Sequence, residues 1–243
     1  MSLKISIITP SFNQGRFIRD TIESVLNQNY SNFEHIVIDG GSTDETIDIL
    51  KSFPHLKWVS EPDSGAANAI NKGFSMVRGD VLTWLNSDDY FENNIFKYIE
   101  ELFLKYGLDK IIIGSLTWVD ANKQLIGVDK NHRITREFLI HKNADLLRQP
   151  CMFYSTDLFR KSGGLNESLR LVFDYELFIK MLSLAVPIYV DKNLAYQRDY
   201  PETLSRSLAR RQAIEIFKVS RRNGGRIFDK INLRIIKKLI FRK

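Results

Sequence analysis

The chain is short of cysteine and proline and lacks any long apolar run, and each shortage narrows what it can be. A single cysteine, Cys151, leaves no internal disulfide possible, which suits a reducing compartment. Six prolines and 13 glycines among 243 residues are too few for a collagen-like or low-complexity chain. No stretch approaches the roughly 20 apolar residues of a membrane-spanning helix. Residues 1–10 carry one lysine and then read as a strand, without the apolar segment and small-residue cleavage site of a signal peptide. A cytoplasmic protein is expected.

What is present fits a globular body with an appendage. Hydrophobic residues make up 44% and charged residues 26% of the chain, an ordinary balance for a folded domain. The length allows one large domain plus an extension. Charge is unevenly spread. Residues 206–243 hold 13 Lys+Arg against 2 Asp+Glu, a net of +11, and the remainder carries −5. A nucleic-acid binder would spread its bases over the folded body, so no nucleic acid is expected as a partner.

The first half alternates strand and helix. Residues 5–9, 34–39, 56–59 and 81–85 read as strands, and 16–28, 64–76 and 94–106 have helical apolar spacing. Ser42 and Glu45 match a capping box that would open a further helix. This alternation predicts a mainly parallel sheet covered on both faces. Ligands of such sheets bind beyond the carboxyl ends of the strands. Those ends carry polar residues here, at 9–13, 39–44, 61–65 and 86–89. In the second half, 111–127 reads as strands with turns, 151–154 and 188–190 as short strands, and 156–162 and 174–184 as helices. Gly163-Gly164 suits a left-handed helix end.

Asn86-Ser87-Asp88-Asp89 places two adjacent acids after an apolar strand. Hard cations take such oxygen ligands, one or two carboxylates together with substrate phosphates; a polar turn entering the next helix would use the same residues. Asp39-Gly40-Gly41 follows another strand, and the two glycines allow a ligand close to the backbone. A tight strand-to-helix turn is the plainer account of that pair.

Taken in order, the segments resemble the family 2 glycosyltransferases, inverting enzymes of the GT-A fold. The motifs are Ile8-Thr9-Pro10-Ser11-Phe12-Asn13, Thr21-Ile22-Glu23-Ser24-Val25-Leu26-Asn27-Gln28, Ile38-Asp39-Gly40-Gly41-Ser42-Thr43-Asp44-Glu45-Thr46, Glu61-Pro62-Asp63-Ser64-Gly65, Asn71-Lys72-Gly73, Gly79-Asp80 and Leu85-Asn86-Ser87-Asp88-Asp89. The resemblance spans about 4–205. It implies a catalytic domain over 1–205, with a nucleotide-sugar half at 1–115 and an acceptor half at 116–205, followed by a basic helical extension at 206–243.

Residue roles follow from the resemblance. Thr9, Pro10, Phe12 and Asn13 are expected around the base and ribose, with Asp39 on the base. Asp63 and Asn68 fall near the donor's sugar and phosphates. Asn86 and Ser87 border the donor, Asp88 is expected to hold Mn²⁺ or Mg²⁺ across the diphosphate, and Asp89 to contact the metal shell or donor sugar. Asn86 stands where the family usually has an aspartate, and Ile70 where many members have an arginine. Gly163-Gly164-Leu165-Asn166-Glu167 leads to Phe173-Asp174-Tyr175-Glu176-Leu177, which makes Asp174 the expected catalytic base. An inverting transfer needs one such group to take the acceptor hydroxyl's proton; a helix cap is the alternative. Gln149 is an acceptor-contact candidate. No histidine falls where many members have a late metal or diphosphate ligand, so Asp199 is a candidate metal ligand and Arg198 a candidate diphosphate contact.

The tail interleaves bases with apolar residues around Gly224-Gly225. An amphipathic element of this kind suits an anionic membrane surface, and a hairpin packed on the catalytic body uses the same pattern. The overall expectation is a metal-dependent hexosyl-type transferase at the inner face of the cytoplasmic membrane. It would move a sugar from a UDP-sugar or related donor to a glycan or polyprenyl-diphosphate-linked acceptor in bacterial surface-polysaccharide synthesis. A nucleotidyltransferase and a non-catalytic binding protein on the same fold are the alternatives.

Overall fold

The computed structural model describes residues 2–129, 133–144, 146–203 and 207–241. His132 and the expected boundary at 205–206 lie outside them. Four strands open the fold: β1 (Ile5–Ser11), β2 (Phe33–Asp39), β3 (Lys57–Ser60) and β4 (Val81–Trp84). They are separated by helices α1 (Gly15–Leu26), α2 (Thr46–Lys51) and α3 (Ala66–Met76). All neighbours among these strands pair in parallel, in the order β3-β2-β1-β4. A strand–helix–strand unit returns each strand in the same direction, so every carboxyl end meets one rim.

Beyond β4 the sheet becomes mixed. The later elements are β5 (Tyr90–Phe91), α4 (Ile95–Tyr106), β6 (Lys110–Val119), β7 (Leu125–Asp129), α5 (Arg136–His141), β8 (Met152–Ser155), α6 (Thr156–Lys161), α7 (Phe173–Met181) and β9 (Val186–Arg198). The path continues β4-β8-β6-β9-β5, with β7 also on β6. Here β8 runs antiparallel to β4 and β6, and β5 antiparallel to β9, while β6 and β9 are parallel. Uniformly parallel pairing is therefore confined to the first half, and the second half mixes both senses. β9 is longer than the expected strand at 188–190, because register shifts opposite Ser115 let it follow β6 to Val119.

Period-two alternation divides the core between the two faces. Ile8, Ile111, Ile113 and Tyr154 join one buried cluster, and Ile5, Ile7, Ile112 and Phe153 the other. Helix α3 lies so close to the sheet that a Cβ on Gly73 would stand 2.6 Å from Ile8 Cγ2. The Ser42–Glu45 capping box does not form. Ser42 Oγ instead donates to Asp39 Oδ1 at 2.5 Å and accepts from the Asn13 N–H at 2.7 Å, and α2 starts at Thr46 without a side-chain cap.

The C-terminal tail is a helical hairpin, α8 (Ala209–Arg222) and α9 (Lys230–Phe241). Gly224 takes a φ of +101°, and Gly225 leaves room for Ser220 where a Cβ would clash, so the turn calls for glycine at both positions. The apolar stripe expected to face a membrane is covered. Ala213, Ile216, Val219, Ile231 and Ile235 are buried in the same cluster as Leu139, Ile140, Leu169 and Val172. Ser220 Oγ donates to Ile140 O at 2.9 Å. Burying that stripe on the body removes it from water without any bilayer.

Candidate active site

The rim at the carboxyl ends of β1, β2 and β3 is built around Asp39. Its buried carboxylate accepts from the Gly41 and Ser42 N–H groups and from the hydroxyls of Ser42 and Ser60, at 2.5–3.1 Å. It thereby ties the ends of β2 and β3 together. A Cβ on Gly40 would stand 2.9 Å from Asp63 Oδ2 and 3.3 Å from the Phe12 ring. Three segments far apart in sequence thus converge at one spot. Phe12 is 59% exposed there, a flat apolar surface of the kind a planar base stacks on. Asn13, at φ 51°, accepts the Thr43 N–H at 2.9 Å and holds the β1 end to the loop after β2.

Thr9 does not reach this rim. It is fully buried, with its hydroxyl 2.9 Å from His35 Nε2. Pro10 is likewise buried within β1. Asp39 has no exposed surface either. The polar groups of Thr9 and Asp39 are thus engaged inside the protein, as buried polar groups must be.

At the end of β4, Asp88 is half-buried and Asp89 buried. The end of β9 and the residues just after it close over them. The Arg198 N–H donates to Asp89 Oδ1 at 3.0 Å, the Arg198 guanidinium donates to the Asp88 carbonyl at 2.5 Å, and the Tyr200 hydroxyl donates to Asp88 Oδ2 at 2.9 Å. Asn86 donates to Asp89 Oδ2 at 3.2 Å, and Ser87 is buried beside it. Burial pushes both carboxyls above the usual range, and the neighbouring Asp88 charge adds to the effect on Asp89. Asp199 is half-buried, and its N–H bonds Val119 O at 2.9 Å.

Arg198 departs from its expected role. Its side chain is 1% exposed and pairs with Asp20 Oδ2 at 2.5 Å. The guanidinium lies 4.7 Å from the Phe17 ring and 5.1 Å from the Tyr90 ring. It fastens the Asp88–Asp89 loop to α1 rather than facing an open cleft. Tyr200, which packs on Phe17 at 5.0 Å, and Asp20 were missed in the sequence. Tyr200 follows directly on the candidates Arg198 and Asp199, but Asp20 has no motif to mark it.

Among the described residues no three His, Cys, Asp or Glu side chains gather into a metal cluster. The donor set still fits a hard cation. Asp88, half-buried, is the carboxylate of the pair that keeps some exposed surface, and Asp89 is buried behind it. Mg²⁺-type sites often use one or two carboxylates plus substrate phosphates.

Helix α7 brings Asp174 toward the same strand end. Phe173 lies 6.5 Å from Trp84, the last residue of β4, and Phe178 stacks on that ring at 6.3 Å. Asp174 Oδ1 accepts the Tyr175 N–H at 2.7 Å, and burial raises its carboxyl to about 6 against the opposing effect of that bond. The preceding loop is clamped by α3. Glu167 accepts from Asn68 at 2.9 Å and from Asn71 at 2.8 Å, and Asn71 also bonds both the N–H and carbonyl of Leu165. Asn68 is thus engaged with the Gly-Gly-Leu-Asn-Glu segment, not turned to the rim. Gln149, 7% exposed, donates to Trp84 O at 2.6 Å and props the β4 end from below. Cys151 is buried, donates to Ser115 O, and has its thiol pKa pushed up by that burial.

The model of the family named "Glycosyl transferase family 2" matches residues 6–163. The chain belongs to the family 2 glycosyltransferases. An "uncharacterized glycosyltransferase" of Rickettsia typhi is 30% identical over 197 residues, covering 77% of this transferase and 61% of the relative. The transferase therefore spans less than two thirds of that relative's length. The chondroitin synthase of Pasteurella multocida is 25% identical over 199 residues, or 80% of this transferase and 20% of the synthase. The transferase shares the GT-A fold of S. aureus TarS 1–349 solved with UDP: TM-score 0.69, 18% identity, coverage of 97% of this chain and 71% of that one. The mannosyltransferase PcManGT of Pyrobaculum calidifontis, solved with GDP-Man and Mn²⁺, matches at TM-score 0.65 and 16% identity, covering 100% and 71%.

Proposed function

We propose that this transferase moves a sugar, with inversion, from a nucleotide-sugar to a hydroxyl of a glycan or lipid-linked acceptor. The observation that carries the proposal is the packing of helix α7, through Phe173 and Phe178, on Trp84, which sets the helix of Asp174 beside the strand that leads into the Asp88–Asp89 loop. One group suits a base and the other a diphosphate–metal site. UDP is the favoured nucleotide, since TarS was solved with UDP and with UDP-GlcNAc. The chondroitin synthase relative supports a polysaccharide product, and a bacterial surface polysaccharide is the setting we favour. A lipid-linked acceptor would place the enzyme at the inner face of the cytoplasmic membrane.

The base and ribose stack at Phe12, beside Gly40 and Asp63. Asp88, with Asp199 as a second oxygen ligand, would hold Mn²⁺ or Mg²⁺ against the donor diphosphate. Such an ion neutralises charge that grows on the leaving diphosphate. Asp89, Asn86, Arg198 and Tyr200 keep Asp88 in place. Asp174 accepts the acceptor hydroxyl's proton as the oxygen bonds to the anomeric carbon and the bond to the nucleotide breaks. A carboxyl titrating near 6 is mostly ionised at pH 7 yet basic enough for the task.

Replacing Asp174 by Asn is the direct test. Donor binding should persist while turnover falls about 10²- to 10⁴-fold. Near-native turnover would remove Asp174 as the base.

A further inference from the structure

The tail's stripe is covered, yet the hairpin leaves two other features open. The first is its turn. Phe228 is 84% exposed and Ile227 47%. Exposed bases surround them: Arg221 and Arg222 at the end of α8, Arg226 in the turn and Lys230 at the start of α9. The turn's one acid, Asp229, points back into the protein. It lies 2.6 Å from His141 Nδ1 and accepts the Arg226 N–H.

The second feature is a cleft of about 680 Å³ between α8 and the loop at Ser168–Leu169, lined by Arg210, Arg211, Lys218, Arg222 and Ile214 among others. Glu215, the acid in this lining, is already satisfied. It accepts from the Arg170 and Leu171 N–H groups and from Arg211. Arg210, Lys218 and Arg222 have no carboxylate partner among the described residues and are exposed. Arg211, Lys218 and Arg222 recur on one side of α8. Arg222 lines the cleft and also adjoins the turn, so the two features are continuous.

An apolar knuckle ringed by bases, beside a cationic cleft with an apolar lining, matches a surface that is apolar beneath and anionic above. We propose that the α8–α9 turn docks the transferase on an anionic lipid bilayer. Ile227 and Phe228 enter the acyl boundary, and the α8 cleft holds lipid phosphates. The purpose of such docking rests on the lipid-linked acceptor proposed above, but its evidence does not. The insertion is by the turn, not by the covered helix faces.

Sedimentation of the full chain with vesicles tests this. Vesicles of phosphatidylcholine alone are compared with an equal mixture of phosphatidylcholine and phosphatidylglycerol. The native chain should bind the mixed vesicles and not the neutral ones, and high salt should weaken the binding. Phe228→Ser should weaken it about tenfold or more, the loss expected when one large apolar side chain no longer leaves water. Lys218→Ser and Arg222→Ser should each weaken it about fivefold. Leu104→Ser, at a 60% exposed apolar position on α4, should leave it unchanged. Turnover of soluble donor and acceptor, measured without vesicles, should be native in all these variants. Absence of binding to the mixed vesicles overturns the proposal, as does native binding by Phe228→Ser. Lost turnover in the native chain speaks against the catalytic assignment alone.

Discussion

At Asp174 function and stability pull in opposite directions. Its carboxyl is raised from an ordinary 3.8 to about 6, chiefly by burial. A raised carboxyl means that the folded state favours the proton. Folding stability is therefore lost as pH climbs from about 4 through about 6, and it stays lost at neutrality. Asp174→Asn should accordingly be more stable than the native chain at pH 7, by about 1–2 kcal/mol after allowance for partial solvation. That difference should vanish below about pH 4, as read by denaturant unfolding at both values. Native turnover should rise with pH through about 6, and the residual turnover of the variant should lose that limb. Arg198 makes the opposite case. Its buried guanidinium joins Asp20 and the Asp88 carbonyl, so Arg198→Met should cost about 3 kcal/mol by stranding the groups it satisfies. Unchanged stability would show that the pin carries no weight.

Single elements can be tested through their closest approaches. Gly73→Ala places a methyl 2.6 Å from Ile8 Cγ2, between helix α3 and β1. The expected cost is about 1–3 kcal/mol from overpacking, although alanine is the better helix former in isolation. A stabilised variant would mean that α3 can move away freely. The parallel βαβ half was legible in the sequence because its strands are apolar runs ended by polar turns, and those ends hold the site. Asp88, Asp89 and Asp174 were legible as motifs, and the structure packs the helix of Asp174 on Trp84 of the strand that precedes the acidic pair. The capping box at Ser42 and the rim contacts of Thr9 were misread for one reason. Each hydroxyl is taken up across the strands, Ser42 by the Asn13 N–H as well as by the nearby Asp39 carboxylate and Thr9 by His35 on β2, and local patterns do not register such cross-strand partners. The short β5, the full length of β9 and the pin from Arg198 to Asp20 likewise depend on tertiary pairing.

Across the whole molecule, the tail belongs to the core, the second of the two placements its amphipathic pattern allows. Its helices bury Ile216, Val219, Ile231 and Ile235 against Leu139, Leu169 and Val172. Deleting 207–243 should therefore yield an unstable, aggregating protein instead of a soluble catalytic domain, as scattering and thermal unfolding would show. A well-folded, active truncation would contradict this packing. The central claim is that the β4 rim holds a nucleotide diphosphate through a metal at Asp88. Its most direct test is thermal unfolding of the native chain and of Asp88→Asn against UDP-, GDP-, dTDP- and CMP-sugars, with and without Mn²⁺. A donor at a hundredfold excess over its Kd adds about 2.7 kcal/mol, or about 5–10 °C for a domain of this size. The expected result is a shift of that order for one nucleotide class, dependent on Mn²⁺ and absent in Asp88→Asn. A native chain that no nucleotide shifts, or a full shift retained in Asp88→Asn, would contradict the assignment.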